Sequence, residues 1–172
     1  MRVCIDFADI QSLQTGAFLE VFMFSGQDLT QSAVIIKNDG FWPDLILSEF
    51  QIERSMSPNI NHQLLRDAIV SAVVEINLTL ERYKNQQLSI GINTANDCGV
   101  ISVDQVSSTV IIYKKAVFAR AKADLIGEFV SISSRDNKIS ESEKETRTAL
   151  LAESAREIRK LLGLRRCGVY LI

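Results

Sequence analysis

Leu65, Ile69, Val73, Ile76, Leu80 and Tyr83 fall at steps of three and four residues. Only a helix gathers such a set onto one side, since the period of two in a strand would scatter it over both faces. The spacing predicts a helix opened by Asn61, a good N-cap, and running to about residue 83. Two more stretches impose the same demand. Val110, Tyr113, Val117, Ala121 and Leu125 form a stripe within residues 108–130, widened by Ile111, Phe118 and Phe129. A stripe that wide predicts a helix contacted on several sides at the centre of the fold. Leu151, Ala155, Ile158 and Leu162 form the buried face of a third helix. Its entry is a capping box of Ser140 and Glu143, with Glu141 and Glu145 at the positive end of the helix dipole. Arg156, Arg159 and Lys160 suit the negative end, and Gly163 is a natural stop.

Shorter pieces surround these helices. ILSEFQIERSM reads as a brief amphipathic helix anchored by Phe50, which the proline of SMSPN ends. MRVCIDF, GAFLEVFMF and SAVIIK are rich in β-branched and aromatic residues and read as short strands or extended arms, and RRCGVYLI closes the chain as a further β-type segment. Residues 85–106 are a polar loop of a length that is often functional or mobile, in which VISVDQV makes a brief strand or helical turn. The expected fold is mainly α: a bundle of three long helices plus one short helix, with short β or extended segments at the N- and C-termini. Residues 1–36 form an acidic, β-prone arm, and residues 37–172 the helical body. Met23 is a candidate alternative start that would leave the leading stretch dispensable.

The 172 residues, 47% hydrophobic and 23% charged, suit one domain with a sizeable core. A net charge of −2 argues against gripping a nucleic-acid backbone with the whole surface. Cys4, Cys98 and Cys167 are widely spaced and form no C-x-x-C pair, which points to a reducing compartment with neither disulfide framework nor structural zinc. Asp6 and Asp9 interrupt any signal-peptide core, and Glu75 and Asn77 interrupt the best apolar run, so no stretch reaches the roughly 20 residues of a membrane helix. The reading is a soluble cytoplasmic chain.

Chemistry is hard to find. His62, the single histidine, lies at a helix start with no nucleophile in view. GINTANDCG matches no phosphate-binding glycine motif. Glu141, Glu143 and Glu145 are accounted for by the helix dipole, and Asp124 and Glu128 by an ordinary charged surface. No catalytic, cofactor-binding or metal-binding residue is predicted. Lys114, Lys115, Arg120 and Lys122 surround one helix, either as a solvated face or as a contact with DNA or an acidic partner. CGVYLI is apolar on both faces if extended. Such an edge needs pairing, within the protomer or by strand addition to a neighbour.

The stretch KNDGFWPD, residues 37–44, holds a strong turn dipeptide, Asp39-Gly40, then Phe41, Trp42 and Pro43. Proline pushes Trp42 into an extended conformation, and the two rings read as anchors on the helices. The indole N–H of Trp42 then needs a partner.

NDGFWPD resembles the NDGF[FW]PD signature of the head completion/stabilisation protein family, gene product L, of temperate contractile-tailed phages. LLRDAIVSAVVEIN, residues 64–77, looks like that family's first long helix. IIYKKAVFARAKADL, residues 111–125, is similar to its L-Y-R-R-A-V-x-x-x-A-K-A-x-L helix. AREIRKLLGLRRCGVYLI, residues 155–172, resembles its closing helix, glycine and R-x-x-V-x-L-I run. The resemblance covers about residues 37–172; the leading 36 residues look unrelated, and Ile46-Leu47 replaces the family's acidic-proline helix start.

The resemblance implies a virion structural protein rather than an enzyme. It would join the DNA-filled head at the portal vertex, hold the genome in and offer the surface for tail attachment, as a ring of roughly twelve copies. Its partners would be the portal protein, neighbouring copies, tail-side completion proteins and, non-specifically, packaged DNA, with no membrane. Its place would be the head–tail neck, reached by assembly in the host cytoplasm. Arg165, Arg166, Cys167, Val169, Leu171 and Ile172 would contact portal or neighbour, and Lys114, Lys115, Arg120 and Lys122 would face the DNA channel. A small helical DNA-binding phage regulator is the alternative, but it would need short helices and a tight turn.

Overall fold

The computed structural model describes residues 34–57, 60–133 and 141–164, the side chains of residues 129–133 and 141 aside. All belong to one unit, Ser32–Ile172. The SAVIIK run supplies β1 (Ile35–Ile36), which pairs antiparallel with β2 (Leu45–Ile46), Ile35 opposite Ile46 and Ile36 opposite Leu45. β2 passes straight into α1 (Leu47–Glu53). No side chain caps α1; instead the Leu47 N–H donates to the Val34 carbonyl at 3.0 Å, so the β-pair fixes the helix entry.

α1 stops before Pro58, through its own backbone. Ser55 takes the left-handed conformation, with φ 49°. Its N–H reaches the Ile52 carbonyl at 3.2 Å, and Met56 N–H reaches Gln51 at 2.9 Å. This is a Schellman cap, which satisfies the last carbonyls locally, five residues ahead of the proline expected to end the helix, which lies outside the described residues.

α2 (His62–Ser89) begins as read, with Asn61 Oδ1 accepting from the Gln63 N–H at 2.9 Å. It continues six residues past Tyr83, because residues 84–89 contain neither glycine nor proline. Gly91, at φ 86°, ends it with the same pair of bonds: Gly91 N–H to Leu88 at 3.1 Å and Ile92 N–H to Gln87 at 3.1 Å. The first five residues of the expected 85–106 loop are therefore helix.

The rest of that loop is structured too. A 3-10 turn, Ala95–Cys98, precedes a hairpin of β3 (Ser102–Val103) and β4 (Val106–Ser107). Asp104 and Gln105 both have positive φ, 50° and 66°, as a two-residue hairpin turn requires. Ala95 N–H donates to Phe41 O at 2.9 Å, and the buried Ser107 hydroxyl donates to Ala95 O at 3.0 Å. The small β elements are thus not confined to the ends of the chain; one hairpin sits between the two longest helices.

α3 (Ser108–Ser133) is the central helix. Val110, Tyr113, Val117, Ala121, Leu125 and Phe118 are buried as expected, whereas Ile111 is 43% exposed beside the hairpin. At about 100° per residue, its neighbours lie roughly a third of a turn apart. Tyr113 and Arg120 meet α2 through Asn77 and Glu75. Lys114, Phe118 and Lys122 meet α1 through Glu49, Phe50 and Arg54. Lys115, Ala123 and Gly127 meet α4 (Glu141–Leu161) through Glu157 and Arg147.

α4 ends on Gly163, φ 68°, as the sequence indicates, but its buried face differs from the expected one. Ser154, Glu157 and Leu161 are buried, Leu151 and Ile158 half-buried, and Ala155 and Leu162 exposed. The helix is rolled by about 70° from its most apolar stripe. The physical reason is what α3 offers it: Ala119, Ala123 and Gly127 allow close approach, and Lys115 draws in Glu153 and Glu157 at 3.8 and 3.7 Å. Ser140 of the expected capping box lies outside the described residues.

Candidate functional site

The NDGFWPD stretch forms the most elaborate polar structure among the described residues. Asp39 Oδ1 accepts from the Phe41 and Trp42 N–H groups at 3.1 and 3.0 Å, closing an Asx turn, while Gly40 takes φ 85°. Asp39 Oδ2 accepts from Lys84 Nζ at 2.8 Å, which ties the turn to α2. Burial alone would raise the Asp39 carboxyl, but Lys84 and the two N–H donors outweigh it and hold it below the ordinary value. Asp44 closes the loop from the other side, accepting from Lys37 Nζ at 2.6 Å and the Asn38 N–H at 3.0 Å.

Beneath the turn, three side chains bond in a closed ring. Asn38 Nδ2 donates to the Tyr113 hydroxyl at 2.9 Å, that hydroxyl donates to Asn77 Oδ1 at 2.7 Å, and Asn77 Nδ2 donates back to Asn38 Oδ1 at 2.9 Å. Each amide uses one donor and one acceptor within the ring, so the loop, α2 and α3 meet at one fully paired junction. Tyr113 is wholly buried, and burial pushes its hydroxyl far above the ordinary tyrosine range.

Trp42 lies on this junction, stacked on Tyr113 at 4.3 Å with rings 7° apart and on Tyr83 at 6.2 Å. Phe41 meets it edge-on at 5.0 Å. Both anchors are buried, as their sequence position suggested. The Trp42 indole N–H, which should want a partner, finds no acceptor among the described residues. Pro43 contributes its carbonyl to Asn38 Nδ2 at 3.2 Å. The site is a keystone that fixes the entry strand on the helices.

The four basic residues singled out on α3 do not form a free face. Lys114 grips both Glu49 oxygens at 2.6 and 2.8 Å. Lys115 faces Glu153 and Glu157, and Arg120 pairs with Glu75 at 2.7 Å. Lys122 Nζ donates to the Arg54 carbonyl at 2.7 Å. Together they fasten α3 to three neighbours, Lys114 and Lys122 to α1 and its C-terminal end, Arg120 to α2 and Lys115 to α4. Arg54 joins them: it donates to the Lys115 carbonyl at 2.8 Å and pairs with Glu153 at 3.3 Å. Arg165, Arg166, Cys167, Val169, Leu171 and Ile172 lie outside the described residues.

A groove of about 460 Å³ opens between α1, the hairpin and α3, lined by Glu49, Glu53, Val103, Ile111 and Lys114. Burial, then the Glu49 charge, pushes the Glu53 carboxyl up, against the pull of Lys114 and Arg54. His62 is exposed at the first position of α2, and burial pushes the Cys98 thiol up, away from reactive thiolate. Among the described residues, no group of three or more His, Cys, Asp or Glu is placed to hold a metal, and no helix is long and apolar enough to cross a membrane.

The Asn38–Asn77–Tyr113 ring and the Lys84 contact escaped the sequence reading. The available signal was Asn77 itself, a polar residue next to Ile76 within an otherwise apolar helical pattern.

The family model described as phage head completion protein (GPL) matches residues 36–172. The "Probable head completion/stabilization protein" of Haemophilus phage HP1 (strain HP1c1) is 31% identical over 150 residues, 87% of this chain and 100% of the relative. The head completion/stabilization protein of Escherichia phage P2 is 28% identical over 141 residues, 78% of this chain and 81% of the relative. No solved structure matches significantly.

Proposed function

The chain belongs to the phage head completion protein (GPL) family, and on that basis we propose that it attaches to the portal vertex of the DNA-filled head, stabilises the packaged genome and provides the site for tail attachment. Head completion itself, a structural role in a virion component, follows from the family. The finer reading is a head–tail connector without catalytic activity, assembled in the host cytoplasm as a ring of roughly twelve copies. Portal protein on one side and tail-side completion proteins on the other are its partners. Residues 165–172 are the proposed contact with portal or neighbour, on the strength of their apolar pattern alone.

One observation carries this reading: the family match spans every described residue from 36 onward, including the signature turn and the two helices it locks together. A subunit at a pressurised vertex needs a body that does not deform, and the keystone supplies one. The alternative DNA-binding regulator fits poorly, because α2 and α3 run 28 and 26 residues and no short helix pair with a tight turn presents a free basic face among the described residues.

Electron microscopy of the protein mixed with portal rings or DNA-filled heads tests the proposal. A collar of new density at the vertex is expected. Heads that bind no added protein while remaining competent for tails would refute it.

A further inference from the structure

The groove between α1, the hairpin and α3 has an apolar floor. Val103, Val106 and Ile111 line it and are 58%, 37% and 43% exposed. Most of the charges on its rim are already matched. Lys114 is held by Glu49, Arg54 by Glu153, and Lys115 by Glu153 and Glu157. Glu53 and Asp104 line the same groove with no ion pair or hydrogen bond among the described residues. Burial and the Glu49 charge push the Glu53 carboxyl up despite Lys114 and Arg54, as for an acid short of a cation. The groove therefore suits an occupant that is apolar and positively charged.

Of the longer stretches outside the described residues, only the last has that chemistry and that reach. Residues 1–33 carry Asp6, Asp9, Glu20 and Asp28 against Arg2. Residues 134–140 leave Ser133, about 27 Å along α3 from Lys115, and return to Glu141. Residues 165–172 open with Arg165 and Arg166, continue into Val169, Tyr170, Leu171 and Ile172, and hold no acidic side chain. They also start in the right place. α4 runs antiparallel to α3: Arg147 donates to the Ala123 carbonyl at 3.3 Å, and Glu157 lies 3.7 Å from Lys115. Leu161, one turn past Glu157, is thus roughly level with Ile111, one turn before Lys115. From there eight extended residues reach up to about 26 Å.

We infer that the groove is the docking site for residues 165–172 of the same copy, with Arg165 and Arg166 on Glu53 and Asp104 and the apolar side chains on Val103, Val106 and Ile111. So short a tether keeps the segment at an effective concentration of about millimolar, and closure within one copy prevails over exchange between copies at micromolar protein. A free copy then shields an apolar segment that is an aggregation hazard when bare. The inference concerns the free copy and goes beyond the proposed portal contact, which would take the same residues out of the groove.

Cys167 lies within the segment and serves as the reporter. In full chain carrying Cys4→Ser and Cys98→Ala, Val103→Cys sets a second thiol on the groove floor, with oxidised glutathione as the two-electron oxidant. A disulfide within single copies is expected, at a rate independent of protein concentration and about tenfold or more above that of Ser71→Cys, an exposed position on α2. Arg165→Glu/Arg166→Glu should slow closure by about tenfold, and adding Glu53→Arg should restore it. A rate no higher than the Ser71→Cys control overturns the inference. So does a bond that forms only between copies, or a rate indifferent to the charge reversals. If the cysteine background fails to fold by circular dichroism, hydrogen exchange of the full chain decides. There Arg165→Glu/Arg166→Glu should speed exchange at residues 102–106 several-fold, and unchanged exchange overturns the inference. Absence of a collar on heads would sink the proposed function instead, so the two failures are separable.

Discussion

Tyr113→Phe removes one oxygen and nothing else from the keystone. The phenyl ring keeps its stack on Trp42, at 4.3 Å and 7°, so buried apolar area is unchanged. Two hydrogen bonds disappear, one accepted from Asn38 Nδ2 at 2.9 Å and one donated to Asn77 Oδ1 at 2.7 Å. At about 1 kcal/mol net for each, the loss is about 2 kcal/mol, and the stranded Asn77 carbonyl brings it to about 2–3 kcal/mol. Asn38 Nδ2 retains the Pro43 carbonyl at 3.2 Å, which limits the damage on that side.

Urea unfolding followed by the fluorescence of Trp42, the single tryptophan, should show a lower midpoint with an unchanged slope. Asn77→Ala breaks the same ring, so the double variant should lose less than the sum of the singles, by about 1 kcal/mol or more. Alkaline pH gives a second reading. The Tyr113 pKa is raised in the folded state, so above the ordinary value of 10.0 the unfolded chain releases this proton while the folded chain holds it. Its contribution is intact below that pH and declines above it, by up to about 1.4 kcal/mol per pH unit. Tyr113→Phe should flatten that part of the decline. A variant within about 0.5 kcal/mol of wild type, or strict additivity with Asn77→Ala, would refute the closed ring as a stabilising unit.

Other positions give independent tests. Gly99→Ala would place a Cβ 2.6 Å from Ser107 Cβ, against the residue that caps α3, and should cost about 2 kcal/mol in the same unfolding assay. Ser55→Gly relieves a left-handed serine and should raise stability by about 0.5–1 kcal/mol, whereas Gly91→Ala should lower it by about 1 kcal/mol; equal effects of both would contradict the shared cap. Asp39→Ala should cost about 2 kcal/mol at neutral pH, through loss of Lys84 and two N–H donors. Because the Asp39 pKa is depressed, its contribution is present above the ordinary value of 3.8 and is lost as pH falls through the lower folded value, so wild type and variant should converge in acid.

The sequence by itself determined the helices and their order. Periodicity placed α2 and α3, Asn61 marked the start of α2 and Gly163 the end of α4, and Asp39-Gly40 announced the turn, because these features depend only on local backbone geometry. The signature also carried the family, since its spacing survives in one dimension. Tertiary structure decided the rest, wherever a residue's role depended on a distant partner. Asn77 looked like a flaw in an apolar face until Asn38 and Tyr113 arrived from 39 and 36 residues away. Lys114, Lys115, Arg120 and Lys122 looked like a basic surface until acidic partners and a carbonyl on three other helices took them up. The roll of α4 is the sharpest case. Hydrophobic periodicity favours burying Leu151, Ala155 and Leu162, but the free energy of packing also counts the ion pairs and close backbone approach that α3 makes available. Those terms belong to the pair of helices, and no single stretch of sequence contains them.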